Sequence, residues 1–131
     1  MKKSLSPKKF RQFLITLMLL LPGLTSVGQV SVEWLTPMSH DFGDIKQGKS
    51  AFYEFKFRNT GNAPITLSNV RPSCGCTAPD WEETPILPDS ISNIAIEFDA
   101  RESGYFKKSI KVYFQEQRKG YKLYIEGVVE E

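Results

Sequence analysis

The stretch AFYEFKFR, Ala51 to Arg58, divides cleanly in two: Ala51, Tyr53, Phe55 and Phe57 fall on one side, and Phe52, Glu54, Lys56 and Arg58 on the other. A period of two is the geometry of an extended strand with one buried face. The same pattern recurs through Val30, Val32 and Trp34, through Ile94, Ile96 and Phe98, through Phe106, Ile110, Val112 and Phe114, and through Tyr121, Leu123 and Ile125. After Gln29 no stretch keeps a helical period for longer than a turn or two, so strands dominate.

Between these segments lie NTGNAP (Asn59 to Pro64), PILPDS (Pro85 to Ser90), ARESG (Ala100 to Gly104) and EQRKG (Glu116 to Gly120). They are rich in residues that reverse the backbone or accept a positive φ. Their spacing predicts an all-β, immunoglobulin-like β-sandwich of about seven antiparallel strands. The antibody pattern of two cysteines bridging the sheets around a tryptophan is missing. The only cysteines, Cys74 and Cys76, are two residues apart, too close to span sheets packed about 10 Å apart.

The start of the chain has a different character. MKKSLSPKKFRQ carries Lys2, Lys3, Lys8, Lys9 and Arg11 and no acid, and an apolar run follows from Phe13 to Leu21 before Pro22 and Gly23. That order is a signal peptide's, with Ser26 and Gly28 as the small residues before a cut at Gln29. The run is about half the ~20 residues a membrane-crossing helix needs, so no stable span is expected after cleavage. The predicted organisation is a signal peptide over 1–28 and one sandwich domain over 29–131, placed in the periplasm or outside the cell. Residues 29–131 hold twelve basic and fifteen acidic side chains, a formal charge of −3. The basic balance of the whole chain thus belongs to the leader, and nothing argues for nucleic acid as partner.

Four stretches taken together, HDFGDIKQG (His40 to Gly48), FKFRNTGNAPITLSNVRPSCGCTAP (Phe55 to Pro79), PILPDSISNIAIEFD (Pro85 to Asp99) and GYFKKSIKVYF (Gly104 to Phe114), resemble domain-of-unknown-function family 1573. The resemblance implies an exported bacterial protein with an immunoglobulin-like fold similar to the major sperm protein type. It implies no activity. The family commonly shows P-G-[ED]-S where this chain has Pro88, Asp89 and Ser90, so a turn here lacks its usual glycine.

The cysteine pair admits several readings. On an extended backbone residues i and i+2 share a face with Cα atoms about 6 to 7 Å apart, at the outer limit for a disulfide, and Gly75 between them is a residue able to supply the unusual dihedrals that bring them closer. A three-residue loop contributes only about 1.6 kcal/mol by chain entropy, so a bridge there is a weak staple. A strained, exposed bridge is readily reduced or exchanged, which is a redox reading. Two thiolates with His40, the only histidine, and Met38 form a thiophilic set for a soft metal if the fold brings HDFG beside the loop. The remaining readings are a shaped loop without chemistry and a nucleophile, and the latter lacks a surrounding Cys/His signature. Asp80, Glu82 and Glu83 around Trp81 read as a solvated loop. No phosphate-binding glycine loop or G-x-S-x-G motif occurs, and no cofactor is implied.

A second candidate is a surface. With Phe106, Ile110 and Val112 inward, Tyr105, Lys107, Ser109, Lys111 and Tyr113 face out, and the neighbouring strand adds Lys122 and Tyr124. Tyrosines interleaved with lysines suit contact with an envelope protein or a glycan. The resulting expectation is a non-enzymatic binding or scaffolding module of the bacterial envelope. The alternative is a soft-metal or thiol-redox protein centred on Cys74 and Cys76.

Overall fold

In a computed structural model the described residues are 7–9, 11–12 and 29–131. The apolar run from Phe13 to Leu21 and the cleavage site lie outside them. No helix among the described residues is long and apolar enough to cross a membrane.

Each alternating segment has one apolar side to bury, and two sheets facing one another bury them all. The strands are β1 (Val32–Trp34), β2 (Ser39–Lys46), β3 (Ala51–Asn59), β4 (Leu67–Pro72), β5 (Thr77–Trp81), β6 (Ile91–Phe98), β7 (Gly104–Phe114) and β8 (Tyr121–Glu130). One sheet has the order β1-β3-β6-β5 and the other β2-β8-β7-β4. Phe55, Phe57, Ile94 and Ile96 from the first sheet meet Leu67, Ile110, Val112, Leu123 and Ile125 from the second, all essentially without solvent contact. Each such side chain contributes about 1.5–3 kcal/mol relative to exposure, so the core carries the stability that two cysteines do not.

Eight strands form rather than about seven, and one pairing is parallel. The chain crosses from the first sheet to the second between β1 and β2, through Leu35–Met38, where Pro37 has no amide hydrogen to continue a ladder. β2 therefore runs alongside β8 in the same direction, with His40 opposite Ile125 and Ile45 opposite Val129. The register slips between Asp41 and Asp44. There Gly43 takes φ +66° and its amide donates to Asp41 Oδ1 at 2.7 Å.

Asp80 and Trp81, expected in a loop, belong to β5, which pairs with β6 from Thr77↔Phe98 to Trp81↔Ile94. Pro79 hides the pattern in the sequence. On an edge strand its missing N–H costs no interior hydrogen bond, and Thr77 and Trp81 still turn inward. The NTGN turn is organised by Asn59, which is fully buried. Its amide donates to the carbonyls of Ala63 (2.9 Å) and Ile86 (3.0 Å), and its Oδ1 accepts from Gly61 N (3.0 Å). The glycine-less turn at Pro88–Ser90 puts Asp89 at φ +69°, a left-handed backbone that aspartate tolerates better than most residues.

Candidate functional site

The outer face of the β2-β8-β7-β4 sheet gathers all six residues expected there. On β7, Tyr105, Lys107, Ser109, Lys111 and Tyr113 point away from the core, while Phe106, Ile110, Val112 and Phe114 are buried. β8 adds Lys122, Tyr124 and Glu126. The register sets Lys107 opposite Glu126, Ser109 opposite Tyr124 and Lys111 opposite Lys122.

The face is divided electrostatically. Lys107 Nζ lies 3.7 Å from Glu126 Oε2, and the same carboxylate oxygen accepts a 2.9 Å hydrogen bond from the Tyr105 hydroxyl. That bond, which the deprotonated phenol would forfeit, raises the Tyr105 pKa. Lys107 and Lys122 sit over the Tyr124 ring, 5.5 and 6.0 Å from its centre. These contacts are cation–π arrangements of the exposed, weak kind.

The adjoining row has no such balance. β4 pairs with β7 so that Arg71 is directly opposite Lys111, and Lys111 is opposite Lys122. Three cationic residues therefore stand side by side across three strands, their Cβ atoms about 5 Å apart. None of the three has a carboxylate within 4.0 Å among the described residues. Arg71 leans over Tyr113, 5.9 Å from the ring centre. Sequence reading assigns the lysines to this face but misses Arg71. The signal that finds it is strand register, because a residue on a strand first recognised through its pairing has no visible face.

Cys74 and Cys76 are joined in a disulfide with Cα atoms 5.3 Å apart. A tight turn beyond β4 brings them together. Gly75 is not among the described glycines with positive φ, so the approach needs no left-handed backbone. The loop is tied down on both sides: Ser73 N donates to Ser109 O (2.8 Å) and Asp99 N to Cys76 O (3.0 Å). The buried Thr77 places its hydroxyl oxygen 3.6 Å from Cys74 Sγ and 3.9 Å from Cys76 Sγ. The pair lines a cleft of about 450 Å³ with Arg101, Glu102, Tyr105, Phe106 and Lys108. Arg101 is held by Asp99 at 3.2 Å.

Met38 and His40 are not brought to the cysteines. They belong to the β2 edge of the second sheet, and the cysteine loop leaves the opposite edge at β4. Three strand spacings, on the order of 14 Å, separate the two edges. The His40 ring turns inward across the sandwich, stacked on Tyr53 at 3.6 Å and edge-on to Phe42 at 4.7 Å. Burial lowers its pKa from the usual 6.5, against a smaller opposing pull from Asp41. Met38 is partly exposed, and its carbonyl accepts from Tyr124 N at 2.9 Å. Among the described residues no group of three or more histidine, cysteine or acidic side chains is placed to hold a metal ion.

Two four-stranded sheets, a chain that changes sheet between its first strands, and a core of alternating residues define an immunoglobulin-like β-sandwich. Solved structures share the fold. A protein of unknown function from Porphyromonas gingivalis W83 superposes with TM-score 0.66 at 18% identity over 83% of this chain. This chain spans about half of that one, 51%. The ASH/PapD-like domain 7 of human CEP192 superposes with TM-score 0.61 at 14% identity, over 86% of this chain and 94% of that one. The VesB protease of Vibrio cholerae does so with TM-score 0.57 at 10% identity, over 93% of this chain but 35% of that one. These likenesses are of fold. No curated protein matches by sequence. The chain belongs to the family described as protein of unknown function, DUF1573, whose pattern matches residues 34–129.

Proposed function

We propose that this chain is an exported binding module of the bacterial envelope, and that its ligand is an acidic polysaccharide seated on the outer face of the β2-β8-β7-β4 sheet. The observation that carries the reading is the row Arg71, Lys111 and Lys122. Like charges directly opposite one another on a sheet are destabilising, so a row of three with no acid beside it is best accounted for by an anion from outside. Tyr113 and Tyr124 flank the row and offer amphipathic rings to sugar faces. Export is read from the leader-like order of residues 1–28, a basic start followed by a short apolar run.

The test is calorimetric titration of the exported chain with polygalacturonate oligosaccharides, with neutral dextran as control. The expected result is binding to the acidic polymer alone, weakening as salt rises. The triple variant Arg71→Gln/Lys111→Gln/Lys122→Gln should lose at least about tenfold in affinity, since each 1.4 kcal/mol is a factor of ten. Cys74→Ser/Cys76→Ser should bind as the parent does. Equal binding of dextran, or indifference to the triple substitution, refutes the reading. Tighter binding of polyglutamate would point to an acidic protein instead.

A further inference from the structure

One inward position on β7 is not apolar. Between Phe106 and Ile110, both buried, Lys108 turns toward the inter-sheet side, opposite the fully buried Ile125. It has no carboxylate within 4.0 Å among the described residues. It does not reach the outer face, and it lines the same cleft as Cys74, Gly75 and Cys76. A half-buried cation without a counter-ion, sharing a cleft with a disulfide, is placed to stabilise negative charge appearing there. Thr77 adds to this. Among the described residues its buried hydroxyl has only the two sulfurs as side-chain partners, at 3.6 and 3.9 Å. Sulfur in a disulfide is a weak acceptor, whereas a thiolate accepts a charge-assisted hydrogen bond.

We propose that Cys74–Cys76 is a thiol–disulfide exchange site that oxidises dithiols of exported polypeptides, with Lys108 and Thr77 stabilising the thiolate it releases. Both groups favour the reduced, charged form over the disulfide. The three-residue loop closes too little chain to hold the bridge shut by entropy. A bridge so placed oxidises other thiols more readily than a long-loop structural one.

The chemistry balances without a cofactor. A thiolate of the incoming dithiol attacks Sγ of Cys74, since Cys76 is the sulfur packed against the core. A new S–S bond forms, the Cys74–Cys76 bond breaks, and its electron pair leaves on Cys76 Sγ. The dithiol's second thiol gives its proton to water and attacks the mixed disulfide. Cys74 Sγ is displaced and takes a proton from solvent, while Cys76 Sγ stays the thiolate that Lys108 and Thr77 stabilise. Two electrons and one proton have then passed from the dithiol to this chain, and its second proton stays in solvent.

The proposal is independent of the polysaccharide reading, because Lys108 faces inward whereas Lys107 and Lys111 face out. Its test is titration of the exported chain with mixtures of reduced and oxidised glutathione, the thiols being counted by alkylation and mass. The expected result is a reversible transition at ratios glutathione can set. Lys108→Met and Thr77→Val should each move the midpoint several-fold, to about tenfold, toward more reduced glutathione, the equivalent of up to one pKa unit of thiolate stabilisation. Lys107→Met on the outer face and Thr77→Ser, which keeps the hydroxyl, should leave it in place. A disulfide that stays closed at the most reducing ratio overturns the proposal. So does a midpoint that Lys108→Met and Lys107→Met leave equally unmoved.

Discussion

Lys111→Glu should make the protein more stable while removing the binding assigned to it. Lys111 stands between Arg71 on β4 and Lys122 on β8, in direct register with both. A carboxylate at that position replaces two like-charge neighbours by two opposite-charge neighbours. Cross-strand pairs are worth about 0.2–1 kcal/mol each. Exposure and screening hold such pairs to the lower part of that range. The combined swing of two lost repulsions and two gained attractions is then about 1 kcal/mol, or roughly 4 °C in Tm for a domain of this size. Thermal unfolding followed by circular dichroism at low and at high salt measures it. The gain should shrink as the Debye length contracts from about 30 Å at 0.01 M to about 3 Å at 1 M. Lys107→Glu is the control, because Lys107 already has Glu126 at 3.7 Å. Reversing its charge should lower Tm. If Lys111→Glu fails to raise Tm at low salt, or if Lys107→Glu raises it as much, the three-cation row is not under strain and the argument for a bound anion fails.

Further expectations concern the scaffold. At Asp89, whose φ is +69°, alanine should lower stability by about 1 kcal/mol while glycine is neutral or better in urea unfolding, the reverse of the order at an ordinary loop position. Gly127→Ala should cost about 1–3 kcal/mol, because a Cβ there would lie 2.8 Å from the Gly43 carbonyl oxygen and 3.0 Å from the Phe106 ring. A cost below about 0.5 kcal/mol would mean that β2 and β8 separate easily. The lowered pKa of His40 means the unfolded chain binds the proton more tightly. Stability should therefore be complete above about pH 6.5 and decline as pH falls from there toward the folded pKa. His40→Gln should flatten Tm over that window, and a ring-proton titration by NMR at or above 6.5 would contradict the assignment.

Much of the fold is legible in the chain because period-two alternation is the physics of a half-buried sheet. β3, β6, β7 and β8 each declare an inner face in their own residues. β5 does not, since Pro79 and the acids around Trp81 mask an alternation that only its pairing with Ile94–Phe98 reveals. The parallel pairing of β2 with β8 is equally invisible, for it depends on where the chain changes sheet. The same division holds for the candidate sites. The lysines of the outer face follow from alternation along one strand, but the contact of Arg71 with Lys111 is a matter of register between strands distant in sequence. Lys108 was visible all along as a break in the run Phe106, Ile110, Val112. Its neighbour in space, the Cys74–Cys76 loop, was not. The grouping of His40 and Met38 with the cysteines asked for proximity that sequence spacing has no means to supply, and the sheet order sets them on opposite edges.

The position of β8 has a consequence for the order in which the molecule assembles. Tyr121–Glu130 is an interior strand, flanked by β2 from early in the chain and by β7 just before it. The second sheet cannot form until those ten residues have been made. Closing it joins segments about eighty residues apart, the kind of long-range pairing that folds slowly. A chain emerging from the ribosome thus stays without half of its sandwich until the last strand arrives.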